Sequence, residues 1–186
     1  MNQNLMDYVK IYNNINPNIC KQSVKELKST VNWKEHYFIT SDGEYVTHKT
    51  EPKTCYDILS THDELMSIIH SGLSKYILED INLEWFPGWS GFSTPKYNKY
   101  VNGSKMEKHC DHIQSLFTGD RLGIPILTVI GLLNDNFTGG ELVLFDDFVC
   151  DITSGDLIIF PSIFLYPHKV NEVKNGNRYS FASWCW

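Results

Sequence analysis

The chain has 186 residues, of which 42% are hydrophobic and 20% are charged, which is enough apolar material for the core of one domain. Its formal net charge of −6 argues against binding to nucleic-acid backbones, because such proteins usually carry a basic excess. No apolar run approaches the roughly 20 residues of a membrane-spanning helix, and the first residues do not resemble a signal peptide.

The cysteines and the basic residues indicate where the protein works. Its five cysteines are odd in number and include no C-x-x-C pair, which favours reduced thiols and a cytoplasmic location. Fourteen lysines stand against only two arginines, and together with the many asparagines this bias suggests an AT-rich genome of bacterial or viral origin.

Residues 1–84 are predicted to be mainly helical and to support the rest of the domain. Asn16 and Pro17 have the residue types of a helix cap and first turn, and Thr61 with Glu64 has the pattern of a capping box. A second helix should lie across a sheet with one apolar face, which consists of Leu65, Ile68, Ile69, Gly72, Leu73, Tyr76 and Ile77.

The second half of the chain has the pattern of a β-structure. Short β-branched runs separated by Gly, Asn and Asp turns predict a sandwich, jelly roll or barrel. The predicted strands are 126–133, 141–145, 148–152, 157–160, 166–173 and 178–186. The expected architecture is therefore one α+β domain over 1–186, with a β core at 85–186 backed by the N-terminal helices.

Three residues have the types of a metal-binding facial triad. If the segment around His109 is extended, His109 and Asp111 point the same way, whereas Cys110 and His112 point the other way. His168 lies in a predicted late strand and can supply the third ligand. Two histidines and one carboxylate hold non-haem Fe(II) with coordination positions open, although any one of these histidines alone is more often a structural residue.

Arg178 follows His168 by ten residues and opens an alternating strand. The alternation places Arg178, Ser180, Ala182 and Trp184 on one face. A guanidinium inside a barrel must be paired, either with a carboxylate of the chain itself or with the carboxylate of a ligand.

These residues resemble the Fe(II)/2-oxoglutarate-dependent oxygenases, in particular the prolyl 4-hydroxylase-like branch. The resemblance covers roughly residues 85–186. It is carried by six blocks in order, namely Tyr100–Met106 leading to His109–Asp111, Leu132–Asp135, Gly139–Leu142, Gly155–Phe160, His168–Val170, and Gly176–Tyr179 with Trp184. The fold that it implies is a double-stranded β-helix, which is a jelly-roll variant.

The resemblance also implies roles for individual residues. Fe(II) would be bound by His109, Asp111 and His168, and O2 would take the last coordination position. Arg178 would hold the distal carboxylate of 2-oxoglutarate, with Tyr100 nearby.

Two positions depart from the pattern of the family. Leu132 and Ala182 stand where relatives often carry a tyrosine and a threonine that help to hold the cosubstrate. Thr128, four residues before Leu132, is a candidate for the missing hydroxyl.

The substrate is expected at an aromatic segment, 85–97, that precedes the metal motif. Trp85, Trp89 and Phe92, together with Trp184, are the predicted substrate contacts, because aromatic grooves dock proline well. The alternative is a loop anchored in the core. Four lysines, at positions 96, 99, 105 and 108, make the region basic, which favours a solvated face over a site for an acidic substrate.

The resemblance implies hydroxylation of a peptide or protein, with proline as the favoured target, succinate and CO2 as co-products, and ascorbate as a reductant. Three alternatives remain open at this point. The same chemistry could act on a free amino acid, a lysyl side chain or a nucleobase, the domain could be a binding module without turnover, or the metal could be the zinc of a hydrolase. Catalytic zinc more often takes three histidines, or two with a glutamate.

Overall fold

A computed structural model describes residues 4–39, 44–47, 49–86, 88–111 and 125–186. Over these residues the chain forms mostly antiparallel β-sheet, with two α-helices packed on one side of the larger sheet. This arrangement agrees with the predicted α+β jelly roll.

The larger sheet has seven strands, and every neighbouring pair is antiparallel. In spatial order the strands are β1 (Lys10–Asn13), β12 (Asp156–Pro161), β8 (Leu127–Leu132), β15 (Arg178–Cys185), β6 (Lys96–Tyr100), β5 (Lys53–Cys55) and β2 (Lys34–Glu35).

The smaller sheet has four strands and carries part of the site described below. Its strands, in spatial order, are β11 (Phe148–Val149), β10 (Leu142–Leu144), β13 (His168–Val170) and β7 (Met106–His109). Two further pairs complete the β-structure, namely β9 (Phe137–Gly139) with β14 (Val173–Gly176), and β3 (Phe38–Ile39) with β4 (Tyr45–Val46).

Helix α1 (Pro17–Ser29) begins as its sequence predicts. The side chain of Asn16 accepts a hydrogen bond from the backbone N–H of Asn18, and Pro17 occupies the first turn, where a missing N–H costs nothing. The helix buries one face, formed by Cys20, Ser23, Val24 and Leu27.

Helix α2 (His62–Lys75) continues into a π-helical turn, Tyr76–Ile81, and lies across the large sheet. Gly72 makes the close approach possible, because a Cβ there would lie 2.6 Å from Leu157 Cδ2. The predicted capping box is not formed. The hydroxyl of Thr61 instead shares a 2.7 Å hydrogen bond with Ser23 of α1, so it ties the two helices together.

The large sheet separates two hydrophobic cores. Alternate residues of β12 serve each of them, since Leu157 and Ile159 pack with the helices while Ile158 and Phe160 pack with the small sheet. The face toward the small sheet therefore lines the space between the two sheets, where a site can be enclosed on both sides.

Two predictions about the elements need correction. Residues 1–84 are not only a helical support, because β1, β5 and β2 join the large sheet. The single strand predicted over 166–173 is two strands, β13 and β14, which belong to different sheets. Among the described residues, no helix is both long and apolar enough to cross a bilayer.

Candidate metal centre

A cavity of about 1130 Å³ opens between the two sheets. Its inner walls come from β6, β8 and β15 on one side and from β7, β10 and β13 on the other, and residues 31–37 and 54–57 line the rest. The cavity contains His109, Asp111, His168 and Arg178 together.

Two neighbouring strands bring the two histidines side by side. His109 ends β7 and His168 begins β13, and the two residues are paired in the register of the small sheet. Their ring centroids are 4.4 Å apart. Asp111 follows two residues after His109, and its Oδ1 lies 3.5 Å from His109 Nε2 and 3.7 Å from His168 Nε2. One ligand atom from each residue falls within 4.8 Å of the others, so the three can bind a single metal ion.

Backbone carbonyls fix the orientation of both imidazoles. Nδ1 of His109 lies 2.7 Å from the carbonyl oxygen of Glu107, and Nδ1 of His168 lies 3.2 Å from that of Tyr166. A proton on each Nδ1 leaves Nε2 as the nitrogen with a lone pair, and Nε2 is the atom that faces Asp111.

The two carboxylate oxygens of Asp111 face different partners. Oδ2 accepts hydrogen bonds from the hydroxyl of Thr128 at 2.6 Å and from the indole N–H of Trp184 at 3.0 Å. Thr128 also shares a 2.7 Å hydrogen bond with Ser162. Oδ1 therefore remains directed toward the two histidines.

The electrostatics of the triad suit a divalent cation. Burial alone would raise the pKa of Asp111, but the neighbouring His168 and His109 side chains and the hydrogen bond from the Thr128 hydroxyl hold that pKa well below its usual range. Burial lowers the pKa of His168, which favours its neutral imidazole, whereas the interaction with Asp111 raises the pKa of His109 against the effect of burial. An anionic oxygen beside neutral imidazole is the donor set that Fe(II) accepts.

Arg178 is a buried cation that has no carboxylate partner among the described residues. Only 1% of its surface is exposed, its Nη1 donates to Ser180 Oγ at 2.7 Å, and its guanidinium lies 5.1 Å from the centre of the Tyr100 ring. In the described part of the chain, Arg178 forms no ion pair and its Nε has no hydrogen-bond acceptor. Burial lowers the pKa of Arg178, since water no longer solvates the charge.

The internal ion pair considered from the sequence is therefore not found among the described residues. A buried guanidinium with unused donors fits an anionic ligand that enters the cavity. Tyr100 presents a neutral phenol to the same space, because burial raises its pKa to about 12.

The hydroxyl that supports Arg178 belongs to Ser180 and not to Thr128, which the sequence suggested. Thr128 lines the cavity, but it donates to Asp111 rather than supporting Arg178. Ser180 is the hydroxyl that contacts Arg178, and the alternation of β15 already placed it on the same face. Leu132 is buried and Ala182 lines the cavity, so neither supplies a hydroxyl.

The described aromatic side chains of the segment before the metal motif do not line the cavity. The rings of Trp89 and Phe92 contact His70 of α2, and both pack against the core on the helical side of the large sheet. Trp85 is 78% exposed and is also absent from the cavity lining. The substrate role predicted for these three residues is not supported, and the anchored loop agrees with their contacts.

The remaining residues of interest are Trp184 and His112, which were considered from the sequence, and two cavity-lining residues that were not proposed as site residues. Trp184 does line the cavity, where its indole N–H binds Asp111. His112 lies outside the described residues. Lys96 and Asn98 of β6 face the cavity without having been proposed as site residues, although their alternation with Tyr100 is the signal that could have found them.

The fold is that of solved prolyl hydroxylases. The chain superposes on a prolyl hydroxylase from Trichoplax adhaerens, which was solved in complex with a peptide fragment of the hypoxia-inducible factor oxygen degradation domain. The TM-score is 0.74 and the sequence identity is 19%, and the superposition covers 97% of this chain and 84% of that chain. A Pseudomonas putida prolyl-4-hydroxylase gives a TM-score of 0.67 and 16% identity, covering 96% and 91%.

A third neighbour is a viral collagen prolyl hydroxylase from Paramecium bursaria Chlorella virus-1, solved as a complex with 2-oxoglutarate. It has a TM-score of 0.63 and 15% identity, covering 96% of this chain and 94% of the neighbour.

Sequence comparison gives the same assignment. Residues 95–186 match the model of the 2OG-Fe(II) oxygenase superfamily. A PKHD-type hydroxylase of Caulobacter vibrioides is 32% identical over 97 residues, which are 49% of this chain and 42% of that relative. The chain thus spans less than half the length of the curated relative that it matches. Residues 95–186, which include the triad and Arg178, belong to the 2OG-Fe(II) oxygenase superfamily, as the sequence motifs predicted.

Proposed function

We propose that the protein is an Fe(II)- and 2-oxoglutarate-dependent dioxygenase that hydroxylates a prolyl residue of a peptide or protein and releases succinate and CO2. The observation that carries the proposal is Arg178, a buried guanidinium without a carboxylate partner among the described residues, in the same cavity as a His–Asp–His triad. A structural ion pair does not account for that arrangement, whereas a diacid cosubstrate does.

Each side chain has a specific role in this proposal. His109, Asp111 and His168 hold the iron, and Arg178 binds the distal carboxylate of 2-oxoglutarate through two N–H groups. Ser180 orients the guanidinium from one side and the Tyr100 ring packs against it from the other. When bound, Fe(II) and 2-oxoglutarate activate O2 and supply the oxidative decarboxylation that drives hydroxylation.

The protein itself orients the metal ligands and shields the cavity from water. Thr128 and Trp184 hold Oδ2 of Asp111, so that Oδ1 stays directed at the metal position throughout turnover. The two sheets exclude bulk water from the inner wall, which strengthens the attraction between Arg178 and an anion.

The mouth of the cavity supports a peptide substrate. Tyr37 and Tyr56 line it and remain 51% and 63% exposed, and exposed aromatic rings are the surfaces on which proline-containing segments dock. The Trichoplax neighbour was solved with a peptide fragment of the hypoxia-inducible factor. We place the peptide against these N-terminal tyrosines in place of the aromatic residues of segment 85–97.

Four further assignments belong to the proposal. The jelly roll is a double-stranded β-helix, residues 1–186 act as a single domain, the protein works in the cytoplasm, and ascorbate serves as a reductant. The negative net charge, which is unlike that of most nucleic-acid-binding proteins, favours a peptide over a nucleobase as the target.

A peptide panel tests the proposal. The protein is incubated with Fe(II), 2-oxoglutarate, O2 and a set of proline-rich peptides, and mass spectrometry records the gain of one oxygen atom while succinate is measured in parallel. We expect both products from the wild type, and neither from Asp111→Ala. Asp146→Ala is the matched control, because that carboxylate is exposed and pairs with Lys108 at the surface.

The two products separate the parts of the proposal. Succinate without any oxygenated peptide would refute the prolyl target and leave the iron chemistry in place. Full activity in Asp111→Ala would refute the metal centre.

A further inference from the structure

Lys96 places a second cation in the cavity, close to the metal centre. It lies on β6 opposite Ala182 and faces the cavity together with Asn98 and Tyr100. Its ammonium is 5.2 Å from the centre of the Trp184 ring, and the N–H of that ring binds Asp111. Lys96 is thus one side chain away from the triad.

Among the residues that the structure describes, no ion pair neutralises the charge of Lys96. In the described part of the chain, no carboxylate lies within ion-pair distance of its ammonium. Burial lowers the pKa of Lys96, while the negative charges of Asp111 and Glu51 act in the opposite direction from farther away. The indole of Trp184 holds the ammonium over its face but carries no countercharge.

A polar atom of a neighbouring side chain on the same wall also lacks a partner among the described residues. Asn98 lines the cavity and is buried, and its Oδ1 has no hydrogen-bond donor in that part of the chain, although its Nδ2 lies 3.5 Å from the carbonyl oxygen of Lys96. A cation that faces the cavity, next to a buried amide oxygen without a donor, indicates that this wall contacts a polar ligand.

Lys96 and Arg178 occupy different ends of that wall. Arg178 pairs with Tyr100 in the register and Ala182 pairs with Lys96, so the two cations are offset by four positions of β15, or roughly 13 Å along the strand. Arg178 is 1% exposed, whereas Lys96 is only partly buried and lies on the strand next to β5, whose end at Thr54–Asp57 lines the outer cavity. Lys96 therefore faces the side from which a substrate enters.

We propose that Lys96 is a specificity-determining residue that binds a carboxylate of the substrate, supplied by an acidic side chain beside the hydroxylated residue. This inference rests on the proposed function, since it names a feature of the peptide that the site accepts. It also revises the interpretation of the basic segment as a solvated face, because Lys96 points inward while Lys99 lies outside the cavity lining.

The test is a binding competition that requires no turnover. The immobilised protein is loaded anaerobically with Fe(II) and 2-oxoglutarate and exposed to a pool of proline-centred peptides whose flanking positions carry Asp, Asn or Lys. The retained peptides are counted by mass spectrometry. We expect the wild type to enrich Asp peptides about tenfold over their Asn twins, as a charge-assisted hydrogen bond would give.

The variants identify the residue that is responsible. Lys96→Gln should reduce the Asp preference to about one, and Lys96→Glu should shift retention toward the Lys peptides. Lys99→Gln is the matched control and should keep the preference, because Lys99 lies on the same strand and also sits over an indole, 5.6 Å from the Trp33 ring. An equal retention of Asp and Asn peptides by the wild type, or a preference that survives in Lys96→Gln, would overturn the proposal.

The carboxylate could instead be that of 2-oxoglutarate, and one measurement distinguishes the two sources. The dissociation constant of 2-oxoglutarate, measured anaerobically with Fe(II), should be the same in Lys96→Gln and wild type. A constant raised tenfold or more would assign Lys96 to the cosubstrate and overturn the substrate role. Absence of succinate from a wild type that still enriches Asp peptides would refute the proposed function and leave the Lys96 assignment in place.

Discussion

Asp111 is held by the protein through one oxygen and offered to the metal through the other. The Trp184 indole and the Thr128 hydroxyl both donate hydrogen bonds to Oδ2, and the Thr128 hydroxyl forms a further hydrogen bond with Ser162. Groups that orient a metal ligand in this way typically change metal affinity by 10- to 100-fold when they are removed, on the order of one to three kcal/mol.

Trp184→Phe keeps an aromatic ring and removes the N–H donor together with part of the ring system. We expect the affinity for Fe(II) to fall about tenfold while the melting temperature changes little, because the ring still packs in the cavity. Trp85→Phe, at a residue that is 78% exposed, is the control. Anaerobic metal titration checks the prediction, and an Fe(II) affinity equal to wild type would show that this hydrogen bond does not position Asp111.

Arg178 presents a planar fork that lysine cannot reproduce. Arg178→Lys should raise the dissociation constant of 2-oxoglutarate by more than tenfold, because a single ammonium replaces two parallel N–H donors. Ser180→Ala removes the 2.7 Å contact with Nη1 and should have a smaller effect in the same direction. Isothermal titration under anaerobic conditions with Fe(II) gives both constants. Unchanged binding in Arg178→Lys would count against the role of Arg178 as anchor.

At the scale of the elements, β15 connects the site to the core. One face of the strand carries Arg178, Ser180 and Trp184 into the cavity, and the other carries Tyr179 and Phe181 into the core under the helices. The position of the site therefore depends on how closely β15 packs against its neighbour β8.

Gly131 of β8 makes that close packing possible. A Cβ at this position would lie 2.2 Å from Cε1 of Phe181, well inside contact distance. Gly131→Ala should lower the free energy of unfolding by about 2 kcal/mol, the usual cost of overpacking. The double variant with Phe181→Leu should recover part of the loss, because the smaller side chain makes room. Urea denaturation measures both, and a Gly131→Ala protein as stable as wild type would contradict this packing.

The elements that the sequence predicts best are those with long, regular patterns. The strands β8, β12 and β15 have six or eight residues, lie where the β-branched runs placed them, and their alternation carries Arg178 into the cavity. The small sheet pairs His109 with His168, so the predicted triad forms, although Asp111 lies in a turn and not in a strand.

The rest depends on packing that one sequence does not encode locally. Strands of two to four residues such as β1, β2 and β5 are too short for alternation to be recognised. They become strands because β1 pairs with β12, β5 pairs with β6 and β2 pairs with β5. Trp89 and Phe92 lie in an aromatic segment that is typical of a binding loop, yet both rings contact His70 of helix α2. Lys96 has the residue type of a solvated face, and only the pairing with β15 places it beside the metal centre.

The whole molecule has two cores that share the large sheet. The helices and β1 belong to residues 1–84. The helices cover a face of the sheet formed by Val129, Leu157, Ile159 and Phe181, and β1 pairs with β12 at the edge of that sheet. The family match begins only at residue 95, so it includes the site but not the helices. Folding of the site should therefore require the N-terminal residues.

A fragment of residues 85–186 tests this dependence. We expect it to bind a hydrophobic dye and to unfold without a cooperative transition, because one face of its sheet would be exposed and the edge of β12 would lose β1. The full chain should unfold in one cooperative step. A fragment that folds cooperatively and binds Fe(II) would show that the N-terminal helices are dispensable for the site.

The central claim, that one cavity holds Fe(II) and 2-oxoglutarate together, is tested most directly by anaerobic absorption spectroscopy. Adding both Fe(II) and 2-oxoglutarate to the wild-type protein should produce a visible metal-to-ligand charge-transfer band that neither produces alone. The band should be absent in Asp111→Ala and should need more 2-oxoglutarate in Arg178→Lys. A folded wild-type protein that shows no band at saturating Fe(II) and 2-oxoglutarate would contradict the claim.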